Sequence, residues 1–168
     1  MQRRHVLRLG LASAAAFSLA GWAVLSVQPG WHNGTFSASA RAVFLAVSRG
    51  MLDGSLPTED GARQQALQGL LARLEGLVQS LPAHAQDELS QLLALLGTTA
   101  GRRALAGLPV DWPVADVASL QAALQSMRSS RISLRQQAYH ALHDLVGGAY
   151  FSDASTWPQL GYPGPLKF

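Results

Sequence analysis

Between residues 40 and 145 the large apolar side chains recur every three or four positions, and they never alternate with polar ones for five positions between turn signals. That spacing puts them on one face of a helix, whereas a half-buried strand needs a period of two. Ala40, Val43, Phe44, Val47 and Met51 make a first amphipathic helix that starts after Ser37 and stops at Asp53-Gly54. Thr58, followed by Glu59 and Asp60, reads as the N-cap of a second. Its stripe of Leu67, Leu70, Leu71, Leu74, Leu77 and Val78 runs to a break at Leu81-Pro82. A third helix carries Leu89, Leu92, Leu93 and Leu96 and ends at Gly97, after which residues 99–106 add a short helical turn and 107–113 a loop. Val117, Leu120, Leu124 and Met127 mark a fourth, and Leu134, Ala138, Leu142 and Leu145 a fifth, closed by Gly147-Gly148. The expected fold class is all-α: a bundle of about five amphipathic helices over residues 36–149, with short connections and no strand.

The 19 residues from Leu9 to Val27 contain no Asp, Glu, Lys or Arg and show no amphipathic period. A helix apolar on every side belongs in a fully buried core or in lipid. With Arg3, Arg4 and Arg8 in front and Gln28, Pro29 and Gly30 behind, residues 1–30 read as an N-terminal signal or anchor helix outside the folded domain. Gln2-Arg3-Arg4-His5-Val6-Leu7-Arg8 resembles the twin-arginine (Tat) motif, with Arg3 and Arg4 as the pair and Val6 and Leu7 as the apolar couple. The resemblance implies export to the periplasm through the Tat translocase. Two fates of the segment stay open. It is cut, with Gly21-Trp22-Ala23 and Ala38-Ser39-Ala40 as small-x-small sites, or it stays as a single inner-membrane anchor with the arginines on the cytoplasmic side.

Setting residues 1–27 aside removes three arginines and no acids, so 13 basic and 10 acidic residues become 10 and 10. The remaining chain is neutral and has no basic patch that argues for nucleic acid. It is long enough for one ordinary domain. The absence of cysteine excludes disulfides, thiol catalysis and cysteine-ligated metal.

After Gly148 the composition changes: residues 149–168 hold five aromatics and three prolines. Pro158, Pro163 and Pro165 each remove a backbone donor and bias the residue before them to extended geometry, so residues 150–168 read as an extended aromatic C-terminal arm. Its rings must be buried, on the bundle or on another protein.

His140, His143 and Asp144 share one predicted helix, and His140 and Asp144, four apart, share a face. The spacing permits a metal site or an acid–base pair, but no third ligand of comparable quality is evident elsewhere. There is no Gly-x-Gly-x-x-Gly, no phosphate loop, no Cys-x-x-Cys-His haem attachment and no Gly-x-Ser-x-Gly turn outside the N-terminal segment. The residues give an exported or anchored helical domain and no visible active site.

The stretch Arg135-Gln-Gln-Ala-Tyr139-His140-Ala-Leu142-His-Asp144-Leu-Val-Gly147-Gly148-Ala-Tyr150-Phe, with Ser155-Thr-Trp157 and Gly161-Tyr162-Pro163-Gly164-Pro165, resembles the small subunits of membrane-associated flavin dehydrogenases. These include the gamma subunit of FAD-dependent glucose dehydrogenase, the small subunit of sorbitol dehydrogenase and the third subunit of gluconate 2-dehydrogenase. The early segment Phe36-Ser-Ala-Ser-Ala-Arg-Ala-Val-Phe44 onward to Gly54 is similar to that family's first mature helix.

The resemblance implies a noncatalytic accessory subunit with no cofactor of its own. It would carry through the Tat pathway a large subunit of the glucose-methanol-choline type holding FAD, with a multihaem cytochrome c as electron acceptor. It also implies a partner interface at Tyr139, His140, Tyr150, Trp157, Tyr162, Pro163 and Pro165. The competing readings are an independent periplasmic metal- or ligand-binding protein using His140, His143 and Asp144, and a membrane-anchored scaffold.

Overall fold

The computed structural model describes residues 28–164. Arg3, Arg4, Val6 and Leu7, the apolar run and Pro165 lie outside the described residues.

The described part is dominated by helices α1 (Ala38–Met51), α2 (Asp60–Gln79), α3 (Ala83–Gly97), α5 (Val117–Arg128) and α6 (Ser133–Phe151). A short α4 (Thr99–Gly101) passes into a π turn at Arg102–Ala106. A single turn of 3-10 helix lies at Trp112–Val114, and a longer 3-10 stretch of just over two turns at Ala154–Leu160. The all-α expectation holds, with the five long helices where the apolar stripes put them.

Helix α1 is the central element and packs against α2, α3, α5 and α6. Of its predicted stripe, Ala40, Val43, Phe44 and Val47 are wholly buried and Met51 is partly so, and Leu93 and Leu96 of α3, Leu120 of α5 and Leu142 of α6 are wholly buried. Each large aliphatic side chain so enclosed contributes about 1.5 to 3 kcal/mol, which is where a chain without disulfides finds its stability.

Several boundaries differ from the sequence reading. A hairpin precedes α1: β1 (Trp31–His32) pairs antiparallel with β2 (Thr35–Phe36), Trp31 opposite Phe36 and His32 opposite Thr35. Its loop is Asn33-Gly34, both at positive φ (51° and 80°), the two-residue turn whose twist suits a hairpin. Trp31 and Phe36 stack edge to face at 4.9 Å, and Phe36 meets Phe44 of α1 at 4.8 Å, so the hairpin is a lid on the core. Packing thus begins at Gly30 rather than at residue 36. Ala38-Ser39-Ala40, the downstream small-x-small triplet, forms the first turn of α1, capped by the Ser37 hydroxyl, with Ala40 fully buried.

Glu59, not Thr58, caps α2, its carboxylate accepting from the backbone N–H of Gly61 and Ala62. A carboxylate reaches two of the orphan donors where a threonine hydroxyl reaches one. Helix α6 runs through Gly147-Gly148 to Phe151. The cost of two glycines in a helix, about 1 kcal/mol each, is offset beyond them by burial of Ala149 and Tyr150 and by the Tyr150 hydroxyl donating to the Ser55 carbonyl at 2.9 Å.

Candidate functional site

The C-terminal end of α6 and the segment after it form one cluster. Asp153 starts the last 3-10 turn, its carboxylate accepting from the Ser155 backbone N–H (3.0 Å) and hydroxyl (2.7 Å). Across the gap, Arg73 of α2 pairs with Asp153 at 3.1 Å and donates from Nε to the Ala149 carbonyl at 2.9 Å. Hydrogen bonds from the Ser155 side chain and backbone hold the Asp153 carboxyl below the ordinary carboxylate range, and the Arg73 charge adds a smaller push the same way.

Thr156 is buried, donating to the carbonyls of Asp153 (2.8 Å) and Tyr150 (3.3 Å). The Trp157 indole N–H donates to the Phe151 carbonyl at 2.8 Å, and the Tyr162 ring meets the half-buried Trp157 indole edge to face at 5.3 Å. Phe151 and Tyr162 remain exposed, at 41% and 47%.

The expected interface residues therefore divide. Tyr162 packs on half-buried Trp157 beside exposed Pro163, and Trp157 bonds to the backbone of Phe151, whose exposed ring, not singled out in the sequence, meets Tyr150 at 5.1 Å. Tyr150 is buried in the chain's own core, so it is a tether and not a presented surface. Tyr139 is half-buried against the core, its ring touching His140 (5.3 Å) and His143 (5.5 Å). The segment is not extended throughout as expected. Residues 154–160 coil into 3-10 helix, because the Asp153 carboxylate and carbonyl capture the donors of Ser155 and Thr156, and the helix carries Pro158 inside it as far as Leu160.

His140, His143 and Asp144 all lie on the exposed surface of α6. The pairing that forms is between neighbours, His143 Nδ1 to Asp144 Oδ1 at 3.1 Å, and not between the face-sharing His140 and Asp144. Among the described residues no group of three or more His, Asp or Glu is arranged to hold a metal ion. No buried side-chain polar atom there lacks a hydrogen-bond partner, so no orphaned group points into a cavity to suggest a ligand.

A second feature went unread in the sequence: an open apolar groove of about 340 Å³ between α3 and α6, floored by the end of α2. Leu89, Leu92, Ala138, Ala141 and Leu145 are among its lining, with Glu88 and Asp144 as its only charged residues. No stripe analysis reveals such a groove, since its leucines keep the same period as those of the core.

Compared with models of protein families, with curated proteins and with solved structures, the chain gives no match.

Proposed function

We propose that this chain is a noncatalytic accessory subunit that binds an FAD-containing sugar or alcohol dehydrogenase of the glucose-methanol-choline type and carries it, folded, through the Tat pathway. The observation that carries the reading is the surface aromatic group of exposed Phe151 and Tyr162 and half-buried Trp157, on a segment pinned to the bundle through Arg73 and Asp153. Interface energy concentrates in a few such rings, and a segment already folded in the free chain loses little entropy on docking. The resemblance over residues 135–165 and the Arg3-Arg4 motif support the partner class and the route. Flavin insertion needs cytoplasmic FAD and a folded pocket, and a pathway that passes folded cargo lets one signal serve both chains. FAD and the reacting groups belong to the partner, and a multihaem cytochrome c takes the electrons. The product is periplasmic, either free of the N-terminal segment or anchored by it.

The test is Arg3→Lys with Arg4→Lys in cells that also express the flavoprotein. Both chains should disappear from the periplasm while dehydrogenase activity accumulates in the cytoplasm. Normal periplasmic activity in the double variant would sink the shared signal.

A further inference from the structure

The part of the chain after residue 27 carries no net charge, but its charges are unevenly placed. Residues 89–110 contain Arg102 and Arg103 and no acid, and residues 117–143 contain Arg128, Arg131 and Arg135 and no acid. The fold brings the two segments to one end of the bundle. Arg135, near the start of α6, donates from Nε to the Leu105 carbonyl of the π turn at 2.7 Å and from Nη2 to the Ser126 hydroxyl near the end of α5 at 2.9 Å, so it clamps the three elements together. Around that clamp Arg103, Arg128 and Arg131 are exposed. Arg102 differs, being buried with its charge met by Asp111 at 2.5 Å. Along the same helices, Asp116 caps the opposite end of α5, roughly 18 Å from Arg128, and Asp144 lies roughly 13 Å beyond Arg135 on α6. The three exposed cations therefore have no acid of their own.

Ile132 stands among them, in the turn between α5 and α6, and is 59% exposed. An aliphatic side chain flanked by cations suits a surface that is anionic outside and apolar beneath, which is the build of an acidic phospholipid bilayer. A protein partner calls for something else. The cores of protein interfaces concentrate aromatic rings, and neither residues 99–106 nor residues 126–135 contain one. We infer that this end of the bundle seats on a membrane surface of anionic phospholipid, with Arg103, Arg128 and Arg131 on headgroup phosphates and Ile132 entering the boundary between headgroups and acyl chains. Phe151 ends α6 roughly 27 Å from Ser133, so the seat leaves the aromatic surface free. The inference goes beyond the accessory role and does not depend on it.

Because the chain has no cysteine, one introduced cysteine carries a single environment-sensitive fluorophore. The full chain would be labelled at Ile132→Cys and mixed with vesicles of phosphatidylglycerol and phosphatidylcholine that contain a spin-labelled lipid as quencher. Val114→Cys, 75% exposed and before the far end of α5, is the control. The label at 132 should shift to the blue and be quenched several-fold more than the label at 114. The effect should disappear in vesicles of phosphatidylcholine alone and at high salt. Arg103→Gln with Arg128→Gln and Arg131→Gln should cut the quenching several-fold, and Ser133→Cys repeats the measurement should Ile132→Cys perturb folding by circular dichroism. Equal quenching at 114 and 132, or equal quenching in neutral vesicles, would mean that the apolar run alone holds the chain to lipid and would overturn the inference. Suppression by inorganic phosphate, but not by chloride at the same ionic strength, would assign the arginines to a small anion instead. A label at 132 that stays in water on acidic vesicles and is buried by the purified flavoprotein would assign them to a protein, and a label that stays in water throughout would end the inference.

Discussion

Arg73 of α2 holds two points of the C-terminal segment at once, the Asp153 carboxylate at 3.1 Å and the Ala149 carbonyl at 2.9 Å. The last helix and the turn after it are thereby fixed to a helix more than seventy residues earlier in the chain. The folded state holds Asp153 below the carboxyl pKa of an unfolded chain, through Ser155 first and Arg73 second. The stability linked to that shift is present above the unfolded value and is lost as pH falls through the folded one. Acid titration followed by Trp157 fluorescence should show the segment loosening at low pH, and Asp153→Asn should remove that transition. A transition unchanged in Asp153→Asn would assign it to another carboxylate.

Glycine positions separate two physical effects. Gly76 and Gly147 lie inside α2 and α6, and a Cβ at either meets nothing within 4 Å. Alanine there should raise stability by about 0.5 to 1 kcal/mol, because the unfolded chain loses freedom and the helix gains a better former. At Gly101 a Cβ would overlap the Leu95 carbonyl, and at Gly30 it would sit 2.8 Å from the Ser90 carbonyl and closer still to Leu93. Those two alanines should lower stability. Urea denaturation of the four variants checks the signs, and stabilisation at Gly101 would contradict the packing of α4 on the end of α3.

Trp112 is 3% exposed and donates its indole N–H to the Leu96 carbonyl at 2.8 Å. Trp112→Ala should cost about 3 to 5 kcal/mol, combining a cavity with an acceptor left unpaired at the end of α3. Trp112→Phe retains most of the ring volume and should recover more than half of the loss. Equal losses for the two would mean that the hydrogen bond, and not the packing, dominates.

The helices were legible because their apolar stripes face a single core, and their ends because Pro82, Gly97 and the Asp53-Gly54 pair interrupt them. The hairpin was not, although its Asn33-Gly34 signal is explicit, because strands of two residues are too short to show alternation. The glycines after Val146 misled for the opposite reason. They are poor helix formers locally, and the burial of Tyr150 that outweighs them is a tertiary effect. The aromatic cluster was legible in composition and misread in shape, since the capping by Asp153 that coils residues 154–160 depends on a side chain met by Arg73 from a distant helix.

The hairpin also bears on processing. Cleavage after Ala40 would cut within the first turn of α1 and remove Trp31 and Phe36, both buried in the core. If the chain is exported as proposed and then processed, its new N-terminus should lie at or before Gly30. Intact-mass measurement of the periplasmic protein decides this, and a terminus at Arg41 would refute the assignment of the hairpin to the mature core.

The sharpest prediction concerns the exposed rings. Phe151 and Tyr162 are 41% and 47% exposed, and neither is in the buried core. Phe151→Ala with Tyr162→Ala should leave the melting temperature within a few degrees of the parent, since surface changes usually stay within about 0.5 kcal/mol. Partner affinity should fall by at least about 30-fold if each ring is an anchor of the usual size, about 1 to 2 kcal/mol. His140→Ala with His143→Ala removes two exposed imidazoles from the neighbouring surface of α6 and should alter complex yield while leaving turnover per assembled flavin unchanged. Truncation after Asp153 completes the series. It removes Thr156 and Trp157, whose bonds run to the backbone of residues 150–153, and leaves the Tyr150 tether intact. The truncated bundle should therefore remain helical and soluble while co-purification with the flavoprotein is lost. If instead the bundle unfolds, the segment is a lid over its own core and Phe151 and Tyr162 are its edge. If a folded truncation binds the flavoprotein fully, the docking surface lies elsewhere.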